Sequence, residues 1–254
     1  MAAEDDLGGR VALITGATRG LGRVVAAEFA AAGADVVVVS RTLTDATRVV
    51  AELAAGQPAK ATAIAGDVAA ADGAPRIVDA ALERHGRIDI LVNAAGCMVR
   101  GAIEETSEEE FDQMMRVNAF GTWAMCRAVV PAMRAAGGGS IVNVASAAGM
   151  VGYDARSAYG ASKGAVIQLT RCLAVELAGI AVRVNAVAPG PFEAGMAKAR
   201  RGTSRMSALL EHRVPMRRMA QPQELAGAVL FLAGARASFV TGAILPVDGG
   251  WTAS

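Results

Sequence analysis

A short apolar run, Val11-Ala12-Leu13-Ile14, gives way to three glycines at Gly16, Gly20 and Gly22, after which apolar residues return at helical spacing. A run of that length suits a strand covered on both faces, and the change of period marks a strand, a turn and a helix. Glycine lets the chain turn at positive φ and lets backbone approach another molecule closely. The helix N-terminus beyond the turn presents unpaired N–H groups and partial positive charge. Together these make a seat for a pyrophosphate, spaced Gly-x3-Gly-x-Gly in place of the commoner Gly-x-Gly-x-x-Gly. An ordinary turn ahead of a surface helix satisfies the same local pattern, so the rest of the chain has to decide.

Strand and helix signals alternate from there on. Val36 to Val39 reads as a second strand. Ala46 to Ala55 reads as a helix stopped by Gly56 and Pro58, and Ala61 to Ala65 as a strand leading to Gly66-Asp67-Val68. A helix from Ala74 to Arg84 stops near Gly86, and a strand from Ile88 to Val92 runs into Asn93-Ala94-Ala95-Gly96. Ser107 followed by Glu108, Glu109 and Glu110 marks a capped helix start, with helix continuing through Asn118 towards Ala136. Asparagine is a poor helix former, so Asn118 there implies a kink or a function. Ser140 to Ala145 is a strand ending on Ser146, Ser157 to Leu177 a helix, and Ala181 to Val187 a strand ending at Ala188-Pro189-Gly190. Phe192 to Arg213 is too long for an ordinary connection, so it is either a cover over a substrate or a disordered excursion. Pro222 to Leu232 and Ala243 to Val247 close the series. Such alternation predicts a single α/β domain over residues 1–254, with parallel strands, right-handed crossovers and helices on both faces. Ligand then sits at the C-terminal ends of the strands.

Charge and cysteine content narrow the function. With 25 basic and 24 acidic residues the net charge is +1, which gives no field to attract nucleic acid or an anionic membrane. No apolar run approaches the roughly 18 residues that span a bilayer, and the acidic start, Met-Ala-Ala-Glu-Asp-Asp, lacks the basic and apolar segments of a secretory signal. Cys97, Cys126 and Cys172 have no paired spacing, so the expectation is a reducing cytoplasm with neither disulfide nor zinc. His85 and His212 stand among charged residues, away from any ligand pattern, and read as surface side chains; no metal site is expected.

Tyr159 and Lys163 are four residues apart on one helix and share a face. A phenol titrates near 10, and a neighbouring ammonium favours the phenolate, which makes the pair a candidate general acid and base. Tyr153 has Ser157 at the corresponding place and lacks that partner. Ser146 ends the preceding strand, where its hydroxyl can hold a carbonyl or alcohol oxygen. At the end of the second strand, where an acid would bind a free ribose 2′-hydroxyl, stand Ser40 and Arg41, with Arg19 in the glycine turn on the same side. That placement favours NADP(H) over NAD(H).

Taken in order, Thr15-Gly16-x3-Gly20-x-Gly22, Asp67, Asn93-Ala94-Ala95-Gly96, Asn118, Ser146, Tyr159-x3-Lys163 and Pro189-Gly190 resemble the short-chain dehydrogenase/reductase family, over about Arg10 to Trp251. The resemblance implies a doubly wound Rossmann-type sandwich with a seven-stranded parallel sheet, and hydride transfer between nicotinamide and a ketone or secondary alcohol. It implies that Tyr159 protonates the alkoxide, Ser146 orients that oxygen, and Lys163 holds the nicotinamide ribose and lowers the tyrosine pKa. Asn118 would hold a water joining Lys163 to solvent. Cofactor contacts would come from Gly16, Thr18, Arg19, Gly20, Leu21 and Gly22 in the turn, and from Ser40 and Arg41. Asp67 and Val68 would flank the adenine, Asn93, Ala94, Ala95 and Gly96 the adenosine-side ribose, and Pro189, Gly190 and Phe192 the nicotinamide. The family also implies a homotetramer.

One departure bears on the nicotinamide end and one on the substrate. The threonine that often follows Pro-Gly is missing, Glu193, Ala194 and Gly195 standing there instead. The basic residues that receive an acyl carrier protein are replaced by Pro131 and Val175, with Arg100, Arg127 and Arg171 as substitutes. The expected pocket walls, Met98, Met150, Tyr153, Phe192 and Met196, are mostly apolar. The chain is similar to 3-oxoacyl-carrier-protein reductases and to gluconate 5-dehydrogenases. The expectation is therefore a reductase of 3-oxoacyl thioesters or small ketones, with a sugar or polyol dehydrogenase or a non-catalytic NADP(H)-binding module as alternatives.

Overall fold

The structure, a computed structural model, describes residues 7–55, 60–194 and 202–253. Its seven strands are β1 (Val11–Thr15), β2 (Asp35–Ser40), β3 (Ala61–Ala65), β4 (Ile90–Asn93), β5 (Gly139–Val144), β6 (Val182–Pro189) and β7 (Ile244–Val247). They form one parallel sheet in the order β3-β2-β1-β4-β5-β6-β7. The helices are α1 (Gly20–Ala31), α2 (Leu43–Ala54), α3 (Gly73–His85), α4 (Glu108–Met114), α5 (Gly121–Ala135), α6 (Ser157–Leu177), α7 (Ser204–His212) and α8 (Pro222–Ala233). The order reverses between β1 and β4, the place where a doubly wound sheet opens a crevice at its C-terminal edge.

Strand alternation builds the two cores. Ala12, Ile14, Val36 and Val38 pack with Val25 and Phe29 of α1 and Leu225 and Val229 of α8. Leu13, Val37, Val39 and Leu91 pack on the other face with Ile77 of α3 and Met125 and Val129 of α5. The central strands are buried on both faces, which is why β1, β2 and β4 read as continuous apolar runs.

Several boundaries differ from expectation for identifiable reasons. Ile88 is buried but lies ahead of β4, because Asp89 beside it is drawn into a polar knot: its carboxylate accepts from Val11 N at 2.9 Å and from Arg87 and Arg10. Burial pushes the Asp89 carboxyl up, but Arg87, the Val11 amide and Arg10 outweigh it and hold it below the ordinary value. Ala181 does not open β6. It sits at φ +57 behind a 3-10 turn over Ala178–Ile180. The long helix expected from Ser107 to Ala136 is divided by a π-helix at Met115–Phe120 containing Asn118, with the Ser107–Glu110 capping box in place at its start. His85 is not a surface residue. Its side chain is 5% exposed and lies 2.9 Å from the Thr62 hydroxyl, and burial lowers its pKa more than Asp35 raises it. His212 is exposed as expected. The stop signals Gly56 and Pro58 lie outside the described residues.

Arg183 in β6 fastens the far side of the sheet. Its guanidinium donates to the carbonyls of Leu232 (2.8 Å), Val240 (3.2 Å), Ala233 (3.2 Å) and Gly234 (3.0 Å) and to the Ser140 hydroxyl (3.2 Å). Arg183→Leu strips the guanidinium from the carbonyls at the end of α8, where Leu232 O keeps only the Ser140 hydroxyl. We expect about 3 kcal/mol of lost stability, read as a lower urea midpoint at unchanged slope. An unchanged midpoint would contradict this role.

Candidate active site

A cleft of about 910 Å³ runs along the C-terminal ends of the central strands. At one end the β1–α1 turn forms its floor. Gly16 is at φ +66, and a Cβ there would stand 2.7 Å from Ala95 Cα, so only glycine lets this turn meet the loop after β4. Thr15 holds the same junction, its hydroxyl oxygen accepting from Ala94 N and Ala95 N at 3.2 Å each. No side chain caps the first turn of α1, so its amides are left for a ligand at the cleft floor. Thr18 and Ser40 face one another at 3.5 Å, and exposed Arg19 and Arg41 border the cleft on that side. Asp45 borders it too, with its carboxylate accepting from the Thr42 hydroxyl at 2.7 Å.

The expected residues converge with two exceptions. Gly16, Thr18, Arg19, Gly20, Leu21, Gly22, Ser40, Arg41, Asp67, Val68, Ala94, Ala95, Gly96, Ser146, Tyr159, Lys163, Pro189, Gly190 and Phe192 all line this cleft. Asn93 does not. Its amide nitrogen donates to Asn143 Oδ1 at 2.9 Å in a buried network that continues to Thr170, so it ties β4 to β5 within the sheet. Asn118 is also fully buried. It accepts from Cys97 N and donates to Cys97 O and Ser162 Oγ, each at 2.9 Å, fixing the loop after Gly96 against α6.

Ser146 and Tyr159 both face the cleft, and Lys163 stands one turn along α6. The 3-10 turn after Ser146 reaches α6 through Gly149, where a Cβ would lie 2.7 Å from the Lys163 carbonyl carbon. That glycine escaped the sequence reading, although a small residue beside a strand-end serine signals close approach. Lys163 Nζ donates to the Val144 carbonyl at 2.8 Å. Burial lowers its pKa to about 8, against a smaller upward pull from Cys97. Burial raises the Tyr159 phenol, and the downward pulls come from the Ser146 hydrogen bond and the charge of Arg156. The expected lowering of the tyrosine by Lys163 is therefore corrected: burial prevails, and the cation acting on the phenol is Arg156.

Beyond Tyr159 the cleft is walled by Tyr153, Phe192, Met206, Leu209 and Trp251. Met206 and Leu209 come from α7, so the described part of the 192–213 excursion is an ordered cover, packed on Ala147 and Trp251. Met98 lines the cleft as expected, whereas Met150 is 39% exposed and does not. Gly195 and Met196 lie outside the described residues. Trp251 is placed by Asp248, whose carboxylate accepts from Gly250 N at 2.9 Å and from Thr252 N at 2.8 Å.

A family model described as enoyl-(acyl carrier protein) reductase matches residues 16–252. The 3-oxoacyl-[acyl-carrier-protein] reductase of Thermotoga maritima is 38% identical over 244 residues, covering 96% of this chain and 98% of that protein. Among solved structures, a candidate NAD(P)-dependent gluconate 5-dehydrogenase from Beutenbergia cavernae, with NADP bound at low occupancy, superposes with a TM-score of 0.92 at 40% identity, covering 99% of this chain and 100% of that one. A short-chain type dehydrogenase/reductase from Mycobacterium ulcerans gives 0.94 at 31% identity, covering 98% and 91%.

Proposed function

The chain belongs to the short-chain dehydrogenase/reductase family, and we propose that it is an NADP(H)-dependent reductase of 3-oxoacyl thioesters or small ketones. The observation that carries the reading is the convergence of Ser146, Tyr159 and Lys163 on the cleft that the glycine turn floors. The cradle fits a dinucleotide: Gly16 at φ +66, the uncapped start of α1, and Gly96, where a Cβ would meet Asn118 Oδ1 at 3.2 Å and Lys163 Nζ at 3.6 Å. When bound, the coenzyme supplies or accepts the hydride at its nicotinamide ring. In reduction the Tyr159 hydroxyl gives its proton to the alkoxide oxygen, and the Ser146 hydroxyl donates to that oxygen. Lys163 would hold the coenzyme's ribose and pass protons towards Tyr159, with Asn118 positioning the same wall.

The coenzyme reading rests on Arg41 and Arg19, since an arginine fork suits a 2′-phosphate. Arg41→Asp should move the NADPH-to-NADH ratio of kcat/KM about tenfold or more towards NADH. An unmoved ratio would contradict phosphate recognition at β2. A sugar or polyol dehydrogenase is the second reading, favoured by the gluconate dehydrogenase likeness. The apolar wall of Phe192, Met206, Leu209 and Trp251 weighs against it. A non-catalytic module is disfavoured because the complete trio is present. A carbonyl panel including acetoacetyl thioester and 5-ketogluconate, assayed by NADPH oxidation, separates these readings.

A homotetramer is part of the proposal, supported by exposed Trp123 and Val175 on the long helices α5 and α6. An acyl carrier protein partner would meet exposed Pro131 and Val175 where basic residues would suit it. No helix among the described residues is long and apolar enough to cross a membrane, and a cytoplasmic location is the proposal.

A further inference from the structure

β3 is an edge strand, so the loop that follows it, Gly66 to Ala70, has a neighbouring strand on one side alone. On that side Gly66 N donates to the Ser40 carbonyl of β2 at 2.8 Å. Within the loop the Asp67 carboxylate accepts from Ala69 N at 2.9 Å and the Asp67 carbonyl from Ala70 N at 3.1 Å. These bonds shape the loop and leave its open side without an anchor. Asp67 and Val68 nevertheless line the cleft, so something outside the sheet has to place them.

The anchor comes from the π-helical turn at Met115–Phe120. Arg116 Nε donates to the Ala69 carbonyl at 2.7 Å, across 47 residues of chain. The side chain is exposed, but its guanidinium carbon lies 3.8 Å from the centre of the Phe120 ring, and a flat cation stacked on an aromatic face is held in place. Gly121 N closes the turn by donating to the Arg116 carbonyl five residues back. Gly121 also lets α5 meet the loop closely, since a Cβ there would stand 2.8 Å from Val68 Cγ2. The same turn carries Val117 into the cleft wall and Asn118 to Cys97 and Ser162. One turn of helix thus reaches the loop after β3 with Arg116 and the Lys163 side of the cleft with Asn118.

We propose that Arg116 is a positioning residue for the adenosine half of the coenzyme: by holding the Ala69 carbonyl it sets Asp67 and Val68 where the adenine lies. This rests on the coenzyme reading above and adds to it a residue that does not itself line the cleft. Without the donor, the loop has to be ordered at the moment of binding, and that ordering is subtracted from affinity.

The test titrates ADP and 2′,5′-ADP into the coenzyme-free protein by calorimetry. Arg116→Met keeps an aliphatic cover over Phe120 and loses the donor, and it should bind both nucleotides about tenfold more weakly, by the same factor. Arg116→Lys keeps a donor and should stay within about threefold of wild type. The loss should be equal at low and high salt, because long-range attraction for phosphate is screened and a bond within the protein is not. Urea unfolding without nucleotide should give Arg116→Met the wild-type midpoint. A loss confined to 2′,5′-ADP or erased by salt would make Arg116 a phosphate-attracting charge and overturn the proposal. Wild-type affinity in Arg116→Met, or a midpoint lowered together with affinity, overturns it as well and leaves the coenzyme reading standing. A wild type that binds neither nucleotide overturns the coenzyme reading and the proposal with it.

Discussion

Tyr159→Phe should lower carbonyl-dependent kcat by about 10³-fold while leaving NADPH affinity within about threefold of wild type. The phenol shares the cleft wall with Ser146 and Lys163, and a positioned general acid contributes about 10² to 10⁴ in rate. Burial keeps the Tyr159 proton on above the ordinary range, so the hydroxyl enters reduction as an acid. Phenylalanine keeps the ring against α6 and removes only that donor. Steady-state kinetics give the first number and fluorescence titration of NADPH the second. A kcat within tenfold of wild type would show that another group delivers the proton.

Lys163→Met should abolish most turnover and yet make the coenzyme-free protein more stable. The drop from the ordinary lysine value of 10.5 to about 8 amounts to about 3 kcal/mol against the charged form, which methionine removes. The lost bond to the Val144 carbonyl offsets about 1 kcal/mol of that. The net gain at pH 7 is therefore about 2 kcal/mol. The sign with pH follows from proton binding. Above about pH 8 the folded lysine releases its proton while the unfolded one, at 10.5, keeps it, so wild-type stability rises with pH through that window. The variant lacks this rise. Urea unfolding between pH 7 and 9.5 measures both, and a variant less stable than wild type at pH 7 would contradict the buried-charge account.

The parts legible in the sequence were those with local causes. The glycine turn announced itself because Gly16 and Gly20 need positive φ, and the Tyr159–Lys163 pair because helical spacing alone sets its geometry. Parallel strands with helices on both faces followed from unbroken apolar runs alternating with helices, and the seven-stranded sheet from the family resemblance. What stayed hidden depends on distant chain. His85 stands among charged neighbours, but Thr62, some 20 residues earlier, takes its ring indoors. Asn93 looks like a ligand contact because it ends a strand, whereas Asn143 on the next strand claims its side chain. Asn118 was marked as unusual from propensity alone, but the π-helix that carries it has no signature in composition.

The central claim, a carbonyl reductase working through Tyr159 with NADPH, is tested most directly by following NADPH oxidation optically with the carbonyl panel, wild type beside Tyr159→Phe and NADH in parallel. The account predicts oxidation that depends on the carbonyl, prefers NADPH, and disappears in the variant. Oxidation that persists in Tyr159→Phe, or a wild type that binds NADPH and reduces nothing across thioesters, oxo acids, ketones and sugars, would contradict it.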